Sequence, residues 1–297
     1  MVSLFKTVQV LESLYPLDLA ESWDEPGLIV GDMTAPVKRI VCASDPTLSV
    51  VKHACDMNAD LLVTHHPLFF RSVHEVSGRG VRGEIVRNLI ENHCGLWVGH
   101  TNADSAWRGV AHAAADAFGL INQHPLVPAG KLDAKGHEVG LGRIGELENP
   151  ISLREFANKV FKTMPHTEIG IQVCGDIDSI VSKIAVLPGS GDSLFDEVRA
   201  SGADVYVTSD LRHHPALDAI EQARYEFLLR KKCGLSQSDN SDSIKPMLIN
   251  TPHSAIESLW FNYAVEDIEN AIKTSSGEHI EVIWLKESSD PWNYVIR

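Results

Sequence analysis

Short apolar runs alternate along the chain with amphipathic stretches, and this pattern predicts a protein of the α/β class. The run "ADLLVT" (59–64) predicts a buried strand, and "HIEVIWLK" (279–286) predicts another one late in the sequence. Near the start, Val8, Leu11 and Leu14 fall on one face of a predicted amphipathic helix. Segments of these lengths fit sheets that are flanked by helices.

Two segments resemble each other when the chain is shifted by 144 residues, because 39–64 then lies without a gap on 183–208. Each copy predicts a strand, a polar turn, a helix and a second strand. The crossover has the length that parallel strands require. Identity between the copies is low, so internal duplication and chance similarity of two βαβ units both remain open.

The two copies predict two α/β lobes, each with a mixed or parallel sheet flanked by helices. We expect one lobe to comprise residues 1–125 together with 246–297, and the other to comprise 126–245. The polar composition near 230–245, above all "SQSDNSDS" (236–243), predicts a flexible, exposed insertion.

Composition and charge narrow the classes of function. The chain has 26 basic and 40 acidic residues, a net charge of −14, which argues against general nucleic-acid binding. Its five cysteines include no C-x-x-C pair, so neither a disulfide framework nor a thiolate zinc site is indicated. No apolar run is long enough to cross a bilayer, and the first residues are too mixed for a signal peptide. We therefore expect a cytoplasmic protein.

Three separate stretches place candidate metal ligands at the ends of predicted elements. His65 and His66 follow the strand at 59–64, in "THHPL". Asp104 follows a second apolar run in "LWVGHTNAD", and His253 and Glu257 lie in "NTPHSAIE". Ligands in open α/β sheets bind outside the carboxyl ends of the strands, so these positions suit a binding or catalytic site.

Each stretch also has a simpler interpretation. A histidine pair after a strand occurs in ordinary polar loops, and H-x-x-x-E pairs occur on helix surfaces. Asp104 could cap a helix that starts near Ser105. In the third stretch, Thr251 is predicted to cap a helix that begins at Pro252, which puts the histidine and the glutamate on one face.

Taken together, the five side chains would suit a pair of divalent cations. Three neutral imidazoles and two carboxylates leave a net charge of roughly +2 on two such ions, enough to attract an anionic substrate. Mixed nitrogen and oxygen ligands fit zinc, manganese or iron better than magnesium or calcium. Two ions about 3.5–4 Å apart, bridged by Asp104, would resemble the arrangement of two-metal hydrolases.

An arginine-rich loop follows the first histidine pair and contains Arg71, Arg79 and Arg82. Guanidinium groups bind phosphate in a bidentate manner, so these three are candidate substrate-binding residues. Solvated surface charge is the alternative interpretation.

The block "GSGDSL" (189–194) raises a different possibility, since Ser193 with Asp210 and His213 matches the signature blocks of GDSL-type serine esterases. In those esterases, however, the serine block opens the domain and the Asp–His pair lies far downstream. Here the two blocks are 17 residues apart in mid-chain. The internal alignment instead predicts that this block is a strand-to-helix turn.

The ordered set "ADLLVTHHPLFF", "GHTNAD", "GSGDSL", "TSDLRHHPALDA" and a late H-x-x-x-E resembles the Ngg1-interacting-factor-three-like family, also known as the GTP cyclohydrolase I type 2 homologues. The resemblance runs from "WDEPGLIVGD" (23–32) to the C-terminal helix. It implies a dinuclear metal centre in a cleft between two α/β domains, and assembly into ring-shaped hexamers.

Carried over by position, the resemblance implies that the metal ligands are His65, His66, Asp104, His253 and Glu257. The chain departs from the family pattern at "WDEPGL", around "NTPHSAIE", and in a longer link before the last ligands. The departures at "WDEPGL" and "NTPHSAIE" put the substrate preference in question rather than metal binding, and the longer link changes what lies near the cavity mouth or the subunit contact.

The sequence as a whole predicts a two-metal hydrolase that acts on a nucleotide or another phosphorylated small molecule. His214 is the candidate for assisting catalysis, while His100 and Asp210 are candidates for supporting the ligands from behind. Two alternatives remain: a non-enzymatic metal-binding or adaptor protein, and, more remotely, the GDSL-type esterase.

Overall fold

The structure is a computed structural model that describes residues 1–234 and 244–296. The exposed loop predicted at 236–243 lies outside the described residues. The chain divides into two compact units: Met1–Val110 with Trp260–Ser289 (unit 1), and Ala111–Leu259 with Asp290–Arg297 (unit 2).

The strands, in chain order, are β1 (Val2–Ser3), β2 (Gly27–Val30), β3 (Pro36–Val37), β4 (Arg39–Ala43), β5 (Leu61–Thr64), β6 (Gly95–Val98), β7 (Leu120–His124), β8 (Val127–Leu132), β9 (Glu138–Leu141), β10 (Arg143–Ser152), β11 (Gln172–Cys174), β12 (Ile180–Ser190), β13 (Val205–Ser209), β14 (Met247–Thr251) and β15 (Glu281–Trp284).

The α-helices are α1 (Leu4–Leu14), α2 (Leu48–Asp56), α3 (Val81–Glu91), α4 (Thr101–Ser105), α5 (Val110–Ala117), α6 (Leu153–Thr163), α7 (Phe195–Ser201), α8 (His213–Lys232), α9 (His253–Glu257) and α10 (Phe261–Ser276). Among the described residues, no helix has both the length and the apolar character needed to cross a membrane.

Unit 1 is built on a five-stranded sheet with the order β15-β4-β5-β6-β2. The first four strands are parallel, and β2 is antiparallel to β6. In β4, Ile40 and Cys42 join one core with α1 and α10, whereas Val41 and Ala43 join a second core with α2 and α3. Both faces are covered, which explains why these strands are continuous apolar runs in the sequence.

Unit 2 contains a six-stranded mixed sheet with the order β11-β14-β13-β12-β10-β7. Its three central strands, β12, β13 and β14, are parallel, and the outer strands are antiparallel to their neighbours. Helices α6 and α9 share one core with the sheet, while α7 and α8 share another. The predicted class, α/β units with mixed sheets flanked by helices, is therefore confirmed.

The two similar segments of the sequence form the same kind of unit. Strands β4 and β5 pair in parallel around α2, and strands β12 and β13 pair in parallel around α7. The block at 189–194 is the strand-to-helix turn that the alignment predicted, with a short 3-10 helix at Asp192–Leu194 leading into α7. Internal duplication stays a prediction.

Candidate metal site

The histidine pair of unit 1 follows directly on the buried strand β5, at the carboxyl edge of the parallel sheet. His65 is 1% exposed, and its Nδ1 donates to the carbonyl oxygen of Gly99 over 2.8 Å. His66 Nδ1 lies 2.8 Å from a carboxylate oxygen of Asp45, which follows the neighbouring strand β4. Because each Nδ1 is engaged in this way, Nε2 is the nitrogen that each ring can offer to a cation.

Asp104 lies in the short helix α4, and its Oδ1 is 3.8 Å from His65 Nε2. The capping interpretation of this residue is wrong, because α4 begins at Thr101 and its N-cap is His100. Asp104 instead belongs to the same side-chain group as the histidine pair of unit 1.

A third imidazole, His100, lies beside the pair. Its ring centre is 5.5 Å from that of His65 and 6.0 Å from that of His66. The Asp24 carboxylate lies 2.9 Å from His100 Nδ1, and it also accepts hydrogen bonds from the backbone N–H and the hydroxyl of Thr101. Burial of the Asp24 carboxyl would raise its pKa, but the bonds from His100 and Thr101 outweigh burial and lower the pKa to about 2.

Two aromatic side chains border His100. The ring of Trp23 lies 5.8 Å from His100 and 5.6 Å from Phe70, and both aromatic side chains are more than half exposed. The motif "WDEPGL" (23–28) thus supplies both the aromatic ring and the carboxylate that contact His100.

Unit 2 presents a second set of nitrogen and oxygen ligands on α9. His253 Nε2 is 3.0 Å from Glu257 Oε1, and the glutamate is only 3% exposed. On the other side of the ring, His253 Nδ1 lies 2.6 Å from Asp210 Oδ2. Asp210 directly follows strand β13, so the carboxyl end of a parallel strand again fixes an imidazole through Nδ1.

Gly189 makes room for the buried glutamate. The residue has a φ of +82°, and a Cβ added to it would lie 2.7 Å from Glu257 Oε1. Only glycine satisfies both conditions without strain. The "GSG" of the sequence therefore serves the approach of a carboxylate to strand β12.

The start of α9 differs from the prediction. The helix begins at His253, with Pro252 as the residue before it, and no side chain caps it. Thr251 is the last residue of β14, and its hydroxyl donates to the carbonyl oxygen of Thr208 and bonds the Ser209 hydroxyl. The threonine thus joins the ends of two parallel strands rather than capping the helix.

His65, His66 and Glu257 form a group that could hold a metal ion, since each offers one ligand atom and these atoms lie within 4.8 Å of one another. The donors are imidazole nitrogens and a carboxylate oxygen, a set that suits zinc, manganese or iron.

The remaining candidates occupy exposed positions. His214 lies in the first turn of α8, with its ring centre 5.1 Å from that of His213. Arg71, Arg79 and Arg82 are exposed in the segment before α3 and at its start, and Arg82 Nε donates to the carbonyl oxygen of Leu68.

The GDSL-type blocks have other partners. Ser193 is exposed in the 3-10 turn, and Asp192 forms an ion pair with Arg212. Asp210 contacts His253 of the candidate ligand set.

Sequence reasoning did not single out Asp24 or Asp45 as partners of the histidines. The contact of Asp45 with His66 could have been predicted from position in the sheet, since Asp45 follows a strand that pairs in parallel with the strand before His66. Asp24 lies 76 residues from His100, and its local sequence carries no signal that links the two.

These features define an α/β protein with imidazoles and carboxylates gathered at the carboxyl ends of parallel strands. The family model described as Duf34/NIF3 (NGG1p interacting factor 3) matches residues 2–229. The chain belongs to this family.

Similar proteins agree with that assignment. The chain is 38% identical over 292 residues to a Streptomyces coelicolor protein named GTP cyclohydrolase 1 type 2 homolog, a match that covers 98% of this chain and 94% of that protein. A Clostridium perfringens protein of the same name is 28% identical over 290 residues, which covers 97% and 98% of the two chains.

Solved structures extend the likeness to the fold. A Staphylococcus aureus hypothetical protein is 26% identical with a TM-score of 0.80, and the match covers 99% of both chains. A Bacillus cereus protein related to NIF3 has a TM-score of 0.83 at 21% identity over 99% of both chains, a likeness of fold alone.

Proposed function

We propose that this protein is a metal-dependent hydrolase that binds two divalent cations through His65, His66, Asp104, His253 and Glu257. The observation that carries the proposal is that the three candidate imidazoles all have a partner at Nδ1. Each ring is held through Nδ1, by a backbone carbonyl or by an aspartate, which makes Nε2 the nitrogen that each ring can offer to a cation. Metal-ligating histidines are commonly oriented by such partners.

The donor set fits the proposed ions. The side chains nearest the ring nitrogens are carboxylates: Asp104 beside His65, and Glu257 beside His253. Gly189 leaves space for Glu257 where any larger residue would meet its oxygen. The cations would supply a polarised phosphoryl or carbonyl group and a water of lowered pKa.

The other residues would bind the substrate and move protons. The exposed guanidinium groups of Arg71 and Arg79 could bind phosphate oxygens, and His214 could donate a proton to the leaving group. The exposed rings of Trp23 and Phe70 could stack on a flat base. The name shared by the curated relatives, GTP cyclohydrolase 1 type 2 homolog, supports a nucleotide as substrate.

The proposal extends to the assembly and its location. A homohexamer is expected from the family resemblance, and a cytoplasmic location is expected from the five scattered cysteines, which suggest no disulfide framework. Sedimentation of the purified protein tests the first expectation independently of any activity.

Metal analysis of the purified protein tests the binding step. We expect roughly two divalent ions per chain in the wild type, and fewer than half that content in His66→Ala and in Glu257→Gln. His137→Ala is the matched control, because His137 Nδ1 also lies 2.8 Å from a carboxylate, that of Asp133, outside the ligand set. Equal metal content in all four proteins would contradict the ligand assignment.

Activity assays separate the remaining alternatives. The metal-loaded wild type is incubated with a panel of nucleotides and phosphoesters, and turnover that is lost in His66→Ala supports the hydrolase. Full loading without turnover of any compound would favour the metal-binding adaptor instead. Ser193→Ala should keep its activity, and its inactivation with the metals retained would revive the serine esterase.

A further inference from the structure

Helix α8 continues well beyond the part of it that packs on its own unit. Its buried residues are Ala219, Ile220 and Ala223, and the first two belong to the core of unit 2 on this face of the sheet. Within the described part of the chain, no residue from 224 to 232 is buried. The last two turns of α8 therefore present side chains that the described residues leave accessible.

The side of α8 that faces away from the sheet carries a regular pattern. Glu221, Tyr225, Leu228 and Lys232 follow one another at spacings of four, three and four residues, which places them in one stripe. Tyr225 is 58% exposed and Leu228 is 52% exposed. Such spacing is that of the contact positions in a coiled coil, here with two apolar residues in the centre and a charge at each end.

The charges along the stripe are complementary only in one orientation. The acidic end is at Glu221, which also forms an ion pair with Arg224, and the basic end is at Lys232. Two parallel copies would bring like charges together at both ends. In an antiparallel pair with two-fold symmetry, Glu221 faces Lys232 of the other copy, and Tyr225 faces Leu228.

We propose that the stripe Glu221–Tyr225–Leu228–Lys232 of α8 is an interaction surface for the same stripe of a second copy of this chain, packed antiparallel. The contact would cover two exposed apolar side chains on each copy, with Leu229 at its margin. It would also add packing to the last turns of α8, where no described residue from 224 to 232 is buried.

Charge reversal tests the orientation as well as the partner. Glu221→Lys alone places two lysines at each end of the contact, and Lys232→Glu alone places two glutamates there. We expect each single variant to associate about tenfold more weakly than the wild type or worse. A one-to-one mixture of the two variants restores an opposite pair at both ends, so it should regain the wild-type association.

Arg230→Glu is the matched control, because it makes the same change of charge in the last turn on the other side of the helix. Sedimentation velocity over a range of concentrations is the measurement, with a reductant present because Cys233 is exposed. The expected species in the wild type, the control and the mixture has twice the mass of that in either single variant. Circular dichroism verifies that every variant is folded.

Two results would overturn the proposal. Single variants that sediment like the wild type would show that α8 does not join two copies. Failure of the mixture to regain association would show that the antiparallel register is wrong, and that a different partner or segment covers the stripe.

Discussion

Single residues decide which atoms the candidate site can offer. A histidine ring has two nitrogens, and the bond at one of them fixes the direction of the other. Gly99, Asp45 and Asp210 perform this role for the three candidate ligands. These contacts, more than the mere presence of histidines, distinguish the arrangement from a polar loop.

Gly189→Ala is expected to weaken metal binding, because its new methyl group would lie 2.7 Å from Glu257 Oε1. The substitution should also destabilise unit 2 by at least about 1 kcal/mol, since φ is positive at this position. Metal titration and chemical denaturation measure the two effects.

Gly202→Ala provides the control for backbone strain. Gly202 has a φ of +73°, and a Cβ added there would meet no atom within 4 Å. This variant should lose stability without any loss of metal affinity. Equal metal affinity in the two glycine variants would contradict the role assigned to Gly189.

Asp24→Asn is expected to destabilise the protein in a pH-dependent way. The pKa of Asp24 is lowered to about 2 by the bonds from His100 and Thr101, which outweigh burial. The ionised carboxylate therefore contributes stability above roughly pH 4, and this contribution is lost as the pH falls towards 2.

Denaturation of the wild type and of Asp24→Asn between pH 2 and 7 measures this effect. The difference in unfolding free energy should be of the order of 1 kcal/mol near neutral pH and should shrink below pH 4. A difference that stays constant over this range would mean that the carboxylate charge is not what stabilises the contact.

Local patterns singled out the candidate ligands and Asp210, which contacts His253, but not Asp45 or Asp24. His65 and His66 stand out because two imidazoles end an apolar run, and His253 and Glu257 stand out by helical spacing. Asp24 carries no comparable mark, since its contact with His100 depends on how distant segments pack. Chemistry that residues carry locally can be predicted, whereas chemistry that packing creates cannot.

At the scale of elements, the carboxyl ends of parallel strands organise both ligand sets. Asp45, His65 and Asp210 each follow a parallel strand directly or within two residues. The strands themselves were predictable, because burial on both faces produces uninterrupted apolar runs. The start of α9 was predicted one residue early. The hydroxyl of Thr251 donates to the backbone of the neighbouring strand β13 and does not cap the helix.

Thr251→Val tests whether the joined strand ends matter for the site. The change removes the hydroxyl that bonds Thr208 O and Ser209 Oγ, and we expect a loss of about 1 kcal/mol in stability. Metal affinity should fall as well, because Asp210 and His253 follow these strand ends.

Thr7→Val is the comparison for this prediction, since Thr7 is also buried and its hydroxyl donates to the carbonyl oxygen of Ser3 in unit 1. It should lower stability by a similar amount and leave the metal content unchanged. Loss of metal in both variants would trace the effect to general destabilisation.

At the scale of the whole molecule, the sequence predicts the class but not the sheet order. Continuous apolar runs and crossover lengths indicate parallel βαβ units, and both are present. The antiparallel partners at the sheet edges, β2 in unit 1 and β7 in unit 2, leave no such trace. The pairing of these outer strands depends on which edge of the sheet is open once the inner strands have paired.

Unit 1 takes helix α10 and strand β15 from residues 260–289, after the whole of unit 2 up to Leu259. During translation, the backbone edge of β4 that pairs with β15 therefore stays uncovered while about 240 further residues are added, roughly 12–48 s at ordinary elongation rates. An unpaired edge of this kind invites pairing with other nascent chains. Ribosome-associated chaperones are expected to bind this chain in that interval, and premature release before β15 should yield aggregates rather than a half-active fragment.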